Sequence, residues 1–254
     1  EKNKMFIQLR QGNQRYNFLD STYKIIWSYN YTTRFFLTNL SVIWARNKML
    51  GIGTNSKSEI LYLFSVLNSP ITQKLLNKII KIEQEKSILV SLQTIRDQIR
   101  VPKITKENQF IKDEIIKRTK EMLSLEEKTL SDFVDFSGIM LQKFDDAEID
   151  GSNLVLKHNG NKTKLKVKND VKLVSETIQK ELKEELKLEN KKINLADLKN
   201  LPVIDFDKQK KLKDYIDDLA FALYFNVPLK KVDLDSAKEI KNLCSKNQFY
   251  EINK

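Results

Sequence analysis

Tyr23-Lys24-Ile25-Ile26-Trp27-Ser28-Tyr29-Asn30-Tyr31 is the stretch on which the fold reading turns. Tyr23, Ile25 and Trp27 alternate with polar Lys24 and Ser28, and Tyr29 and Tyr31 continue the period of two, as one face of a strand requires. Arg34 to Leu37 and Ser41 to Arg46 are further β-like runs, and Gly51-Ile52-Gly53 with Thr54-Asn55 reads as a turn. β-branched and aromatic residues suit a pleated, half-buried surface. The chain should therefore begin with a small sheet.

Beyond that sheet the period changes to that of a helix. Ser58 is the expected N-cap of a helix from Glu59 to Asn68, stopped before Pro70, and Thr72 to about Glu85 offers a second. Val101-Pro102-Lys103-Ile104 should be extended, since proline lacks a donor and disfavours helix at the residue before it. A long helix is expected from about Lys106 to Lys128, with Ile111, Ile115, Met122 and Leu123 as its apolar stripe. Asp150-Gly151-Ser152-Asn153 and Asn159-Gly160-Asn161 look like hairpin turns around a Leu154-Val155-Leu156 strand, with Leu165 to Lys168 as the next. A Lys/Glu-rich helix from about Lys172 to Glu189 and a last helix from about Asp207 to Phe225 complete the series. The fold class is α+β. We expect a β-rich module at 1–105, a long helix or spacer at 106–128, and a mixed α/β accessory region at 129–254.

The net charge is +11, with 38 Lys against 7 Arg. Codon usage in an AT-rich genome would supply such a Lys excess without any functional demand. The distribution argues for function: residues 1–60 hold nine basic and three acidic side chains, a net of +6, over half the total. A localised excess is the footprint of a phosphate-binding face. No apolar run approaches the roughly 18 residues that span a membrane. The lone Cys244 excludes an internal disulfide and suits a reducing, cytoplasmic setting. The chain starts at Glu1, not at a Met, and we expect it to be a piece of a longer protein.

A search for catalytic groups finds little. Only six Gly occur, no P-loop is present, and one His with one Cys leaves a zinc site short of ligands. His158 in Lys157-His158-Asn159-Gly160-Asn161 faintly resembles a His/Asn metal nuclease but reads better as a hairpin turn. Glu181-Leu182-Lys183 and Glu185-Leu186-Lys187 mimic a nuclease Glu-x-Lys, yet lie in a helical stretch. Asp145, Asp146, Glu148 and Asp150 read as a solvated acidic turn. We expect this chain to be non-catalytic by itself, with no cofactor and no metal of its own.

The binding constellation is stronger. Trp27, Tyr29, Tyr31, Arg34, Trp44, Arg46, Lys48 and Lys57 interleave aromatic with basic residues, and Asn30, Asn39, Asn47 and Asn55 are spaced among them. Arg and Lys bond guanine edges or phosphates, Asn bonds adenine, and rings pack on sugars or displaced bases. The candidates for DNA contact are Arg34, Arg46, Lys48, Lys57, Tyr29, Tyr31, Asn47 and Asn55. Both Trp could equally be core.

Three signatures stand in order: Leu67-Asn68-Ser69-Pro70, then Ile99-Arg100-Val101-Pro102-Lys103, then Ile216-Asp217-Asp218-Leu219-Ala220-Phe221-Ala222-Leu223-Tyr224. Together they resemble the target-recognition (TaqI-like specificity) region of N6-adenine DNA methyltransferases and type IIG restriction–modification enzymes. Phe225 departs from that family's usual Gly, Ala220 and Phe221 replace Val and Tyr, and Thr129 to Leu201 has no counterpart. The resemblance covers roughly two thirds of the chain. It implies double-stranded DNA as partner and a catalytic methyltransferase domain in cis or as a separate subunit. That domain would bind S-adenosylmethionine, and Mg²⁺ would serve a nuclease where the parent carries one. The family fixes no recognition residues, so the eight candidates rest on chemistry. Three rival readings stay open: half of a type I-like specificity subunit, a protein–protein interaction module without DNA affinity, and a domain that cleaves DNA with the carboxylates named above.

Overall fold

The computed structural model describes residues 21–28, 34–40, 49–84, 98–182 and 192–253. Two compact units emerge, one of Glu1–Lys120 with Lys211–Lys254 and one of Glu121–Lys210. The fold class is α+β, with small antiparallel sheets among helices.

In the first unit β1 (Tyr23–Ser28) lies between β2 (Phe36–Thr38) and β3 (Met49–Thr54), antiparallel to both. Ile25 pairs with Leu37 and Ile52, and Trp27 with Leu50, so the period of two becomes one apolar face. Ile25 and Trp27 are wholly buried there. Gly51-Ile52-Gly53 is strand, not the expected turn. Ile52 continues the buried face, while Gly51 and Gly53 pair with Ile26 and Lys24. Lys24 is buried as well, with its Nζ donating to the Ser21 carbonyl.

Helix α1 (Lys57–Leu67) starts earlier than the sequence suggested, because Ser56 and not Ser58 is its N-cap: the Ser56 Oγ accepts from the Glu59 N–H at 3.3 Å. Buried residues run all round it, from Ile60 to Leu63 and from Ser65 to Leu67, so it is an interior helix. Pro70 does end α1, but it also opens α2 (Pro70–Gln84), where its fixed φ and missing N–H cost nothing. Helix α3 (Gln109–Ser124) is shorter than the expected 106–128. Asn108 closes a turn before it, accepting from the Thr105 N–H at 2.7 Å and donating to the Lys103 carbonyl at 3.1 Å. Its first-unit part packs on α1. Lys112 bonds Glu59 at 2.7 Å and lies 5.1 Å over the Tyr62 ring, and the Thr119 and Ser65 hydroxyls meet at 2.6 Å.

In the second unit a short helix, α4 (Leu130–Phe133), precedes β4 (Lys143–Phe144) and a meander of β5 (Asp146–Asp150), β6 (Asn153–His158) and β7 (Asn161–Lys166). Both expected hairpin turns are present: Gly151 has φ +59, and Asn159 and Gly160 have φ +47 and +80, the backbone a two-residue loop demands. Apart from Asp145, which lies in a bend just before it, the acidic run is not a turn. It is β5, with Ala147 and Ile149 against the core while Lys157 bridges Asp146 and Glu148 at 3.0 and 2.6 Å and Lys164 meets Asp150 at 2.9 Å. Helix α5 (Val171–Thr177) is capped by the Asp170 carboxylate and passes into a π-helical turn at Ile178–Leu182; the rest of the expected Lys172–Glu189 helix lies outside the described residues. Strand β8 (Ile193–Asn194) pairs back onto β4, and α6 (Leu195–Lys199) follows, capped by Asn194. Phe144, Leu154, Leu156, Val174, Leu198 and Val203 centre the core of this unit.

Helix α7 (Phe206–Phe225) agrees with the expected Asp207–Phe225, and its Leu212, Ile216 and Leu219 are buried. Helix α8 (Ala237–Ser245) was not foreseen. It buries Ile240 and Cys244, the Cys244 thiol donates to the Asp218 carbonyl at 3.4 Å, and the Tyr250 hydroxyl donates to the Asp218 carboxylate. No helix among the described residues is long and apolar enough to cross a membrane.

Candidate nucleic-acid interface

Of the eight candidate contacts, Arg34, Asn55 and Lys57 fall within the described residues and all three are exposed. Tyr29, Tyr31, Arg46, Asn47 and Lys48 lie outside them, as do Asn30 and Trp44. The strand register separates the three. Tyr23 pairs with Thr54 at one end of β1, next to Asn55 and Lys57; at the other end Ser28 pairs with Met49, and Arg34 precedes β2 on that side. Five steps of β1 at about 3.4 Å each put roughly 17 Å between the ends. The fold thus brings Asn55 and Lys57 together and leaves Arg34 apart.

Chemistry separates them further. The Asn55 side-chain carbonyl accepts from both the Thr22 N–H, at 2.8 Å, and the Thr22 hydroxyl, at 3.2 Å. Both of its lone pairs are used, and reading adenine needs that oxygen as well as the amide nitrogen. Asn55 is therefore a tie between the ends of the sheet segment. Lys57 is exposed at the first position of α1. Trp27, offered by sequence as a ring for bases, is at 0% exposure and tilts against Phe35 at 5.4 Å between centroids. It is core.

One residue the sequence reading passed over belongs with Arg34. Phe36 stands two residues on and is 53% exposed, while Phe35 between them is buried. Along extended chain a spacing of two places side chains on one face. The signal was available in the Phe35-Phe36 pair, since one of two adjacent residues on a half-buried strand faces outward.

The first signature pins this end of the unit, and the third is tied to α2, the helix that follows the first. Asn68, the C-cap of α1, accepts from the Phe35 N–H at 3.2 Å and donates from its amide nitrogen to the Phe35 and Phe64 carbonyls, each at 3.1 Å. The Ser69 hydroxyl donates to the Val66 carbonyl at 2.7 Å, closing the link into α2. From α2 the Thr72 hydroxyl meets the Tyr224 hydroxyl of α7 at 3.2 Å. Burial raises the pKa of Tyr224 and, more strongly, of Tyr62, whose hydroxyl has no hydrogen-bond partner among the described residues. In α7 burial raises Asp217 to about 6, with the Lys213 ammonium opposing. The signature residues thus act as scaffold: they join helices and pin a strand.

Gly51 and Gly53 are in β3 and Gly138, Gly151 and Gly160 are outside every helix, so no described glycine opens a helix after a strand to receive S-adenosylmethionine. Among the described residues no three His, Cys, Asp or Glu side chains gather as a metal site would require. Comparison with protein-family models, with curated proteins and with solved structures finds no match.

Proposed function

We propose that this chain is the DNA target-recognition portion of a restriction–modification adenine-N6 methyltransferase. The observation that carries the reading is that Arg34 and Phe36, a cation and an aromatic ring two residues apart, are both exposed. The pair sits on a strand start pinned by Asn68, in the quarter of the chain that holds over half of the net positive charge. A guanidinium there bonds guanine O6 and N7 as a fork, or a phosphate, and the ring offers a face for a sugar or an unstacked base. Basic residues of this quarter, Lys57 among those described, engage phosphates and set register without reading sequence. The three ordered signatures support the same reading through their resemblance to that family.

The work proposed is binding. A companion catalytic domain would hold S-adenosylmethionine and methylate the flipped adenine, as the resemblance to that family implies. The reading is tested by selecting bound duplexes from a random pool with the purified chain. Enrichment of a short consensus, relaxed at one position by Arg34→Ala, is the expected result. A pool that stays random after repeated rounds would count against sequence recognition.

A further inference from the structure

Asn68 does more than end a helix. Its backbone N–H and its side-chain Nδ2 both donate to the Phe64 carbonyl at 3.1 Å, which fixes the direction of the side chain. So held, the amide presents its oxygen to the Phe35 N–H and its nitrogen to the Phe35 carbonyl. Those are the two groups a neighbouring strand would use. Among the described residues β2 is an edge strand, and its register with β1 runs from Thr38 only as far as Phe36. At Phe35 the side chain of Asn68 takes the place of a neighbouring strand, on the residue directly before Phe36 and directly after Arg34. Phe35 is also fixed through its ring, which is buried against Trp27.

Backbone held on both sides of one residue leaves little freedom in the direction from which the next side chain departs. We propose that Asn68 is a positioning residue for DNA binding, setting the departure of Arg34 and Phe36 through its two bonds to Phe35. This rests on the reading of Arg34 as a DNA contact. Asn68 itself touches no base or phosphate in this account.

The test is a double-mutant cycle on the full chain, with random-sequence duplex DNA as probe across a salt series and urea unfolding of every variant. Arg34→Ala should weaken binding on the order of tenfold and lower the salt slope by about one, the loss of one charged contact. Asn68→Ala should show both changes, with an affinity loss at least as large because Phe36 is released too, and the double variant should lose clearly less than the two single losses summed. Thr72→Val, which removes the hydroxyl that meets Tyr224, should leave the salt slope unchanged. Losses that add in the double variant, or a wild-type salt slope in Asn68→Ala, would overturn the positioning role while leaving DNA binding intact. So would binding indifferent to Arg34. Should Asn68→Ala fail to fold, Asn68→Asp keeps the volume and sets an oxygen against the two carbonyls; failure of both to fold would make Asn68 a purely structural residue. A folded wild-type chain that binds no duplex at all would remove the functional reading, and this inference with it.

Discussion

Trp27→Ala separates a core aromatic from a binding aromatic more sharply than any other single change. Trp27 is at 0% exposure, with the Phe35 ring 5.4 Å away and Ile25 and Ile52 on the same face of the sheet. Burying an indole removes on the order of 200 Å² from water, which at about 25 cal/mol per Å² is about 5 kcal/mol as an upper bound. Alanine keeps its own small share and the cavity relaxes in part, so the loss should fall at about 3–5 kcal/mol. That is a large fraction of the roughly 5–15 kcal/mol that holds a domain together. Urea unfolding followed by far-UV circular dichroism would then show the midpoint displaced by one molar or more, given slopes of about 1–3 kcal/mol per molar. Trp27→Phe, which keeps the ring, should lose about 1–2 kcal/mol and retain DNA affinity. The reasoning fails if Trp27→Ala unfolds within about 0.5 kcal/mol of wild type, a surface-like cost. It fails equally if Trp27→Phe is stable but loses DNA affinity, because the ring would then be a contact.

Other consequences follow from particular groups. Burial pushes Asp217 up to about 6 in the folded chain, above its ordinary value of 3.8, so the folded chain binds more protons between these values and stability falls as pH rises through them. Asp217→Asn should remove that slope and gain on wild type by up to about 3 kcal/mol from pH 4 to pH 7, measured by urea midpoints; an unchanged slope would mean another group titrates. Gly160→Ala should cost about 1–2 kcal/mol through backbone strain alone, since φ is +80 and an added Cβ would meet nothing within 4 Å; an unchanged unfolding midpoint would contradict that φ. The Ser65 and Thr119 hydroxyls make three close contacts with two protons, to each other and to the Leu61 and Ile115 carbonyls. Ser65→Ala with Thr119→Val should therefore cost less than the two single changes summed, because both polar groups leave together; strict additivity in thermal unfolding would mean that they do not touch.

The legible parts of this fold were those where one physical signal acted alone. The alternation of Tyr23, Ile25 and Trp27 gave β1, and the Asn159-Gly160 pair gave a hairpin because so few residues accept positive φ. The apolar spacing of Leu212, Ile216 and Leu219 gave α7. Strand β3 was hidden by Gly51 and Gly53, which mark turns in sequence but here face Ile26 and Lys24 across the ladder. Strand β5 was hidden by its acids, whose partners on β6 and β7 are not sequence neighbours. Helix α8 carries only Ile240 and Cys244 as buried residues, too few to show a period. At the candidate interface, sequence could name residue types but not directions. That Phe35 is buried and Phe36 exposed depends on Trp27, and that Asn55 is spent on Thr22 depends on a contact across 33 positions. Asn68 was visible as part of a signature, but its grip on Phe35 was not.

The central claim is that this chain binds DNA through charged contacts. Affinity of the folded chain for random-sequence duplex, measured by fluorescence anisotropy from low to physiological salt, tests it most directly. The expected result is binding whose logarithm falls linearly with the logarithm of salt, with a slope that counts several released counterions. Absence of binding at the lowest salt, from a chain shown by circular dichroism to be folded, would contradict it.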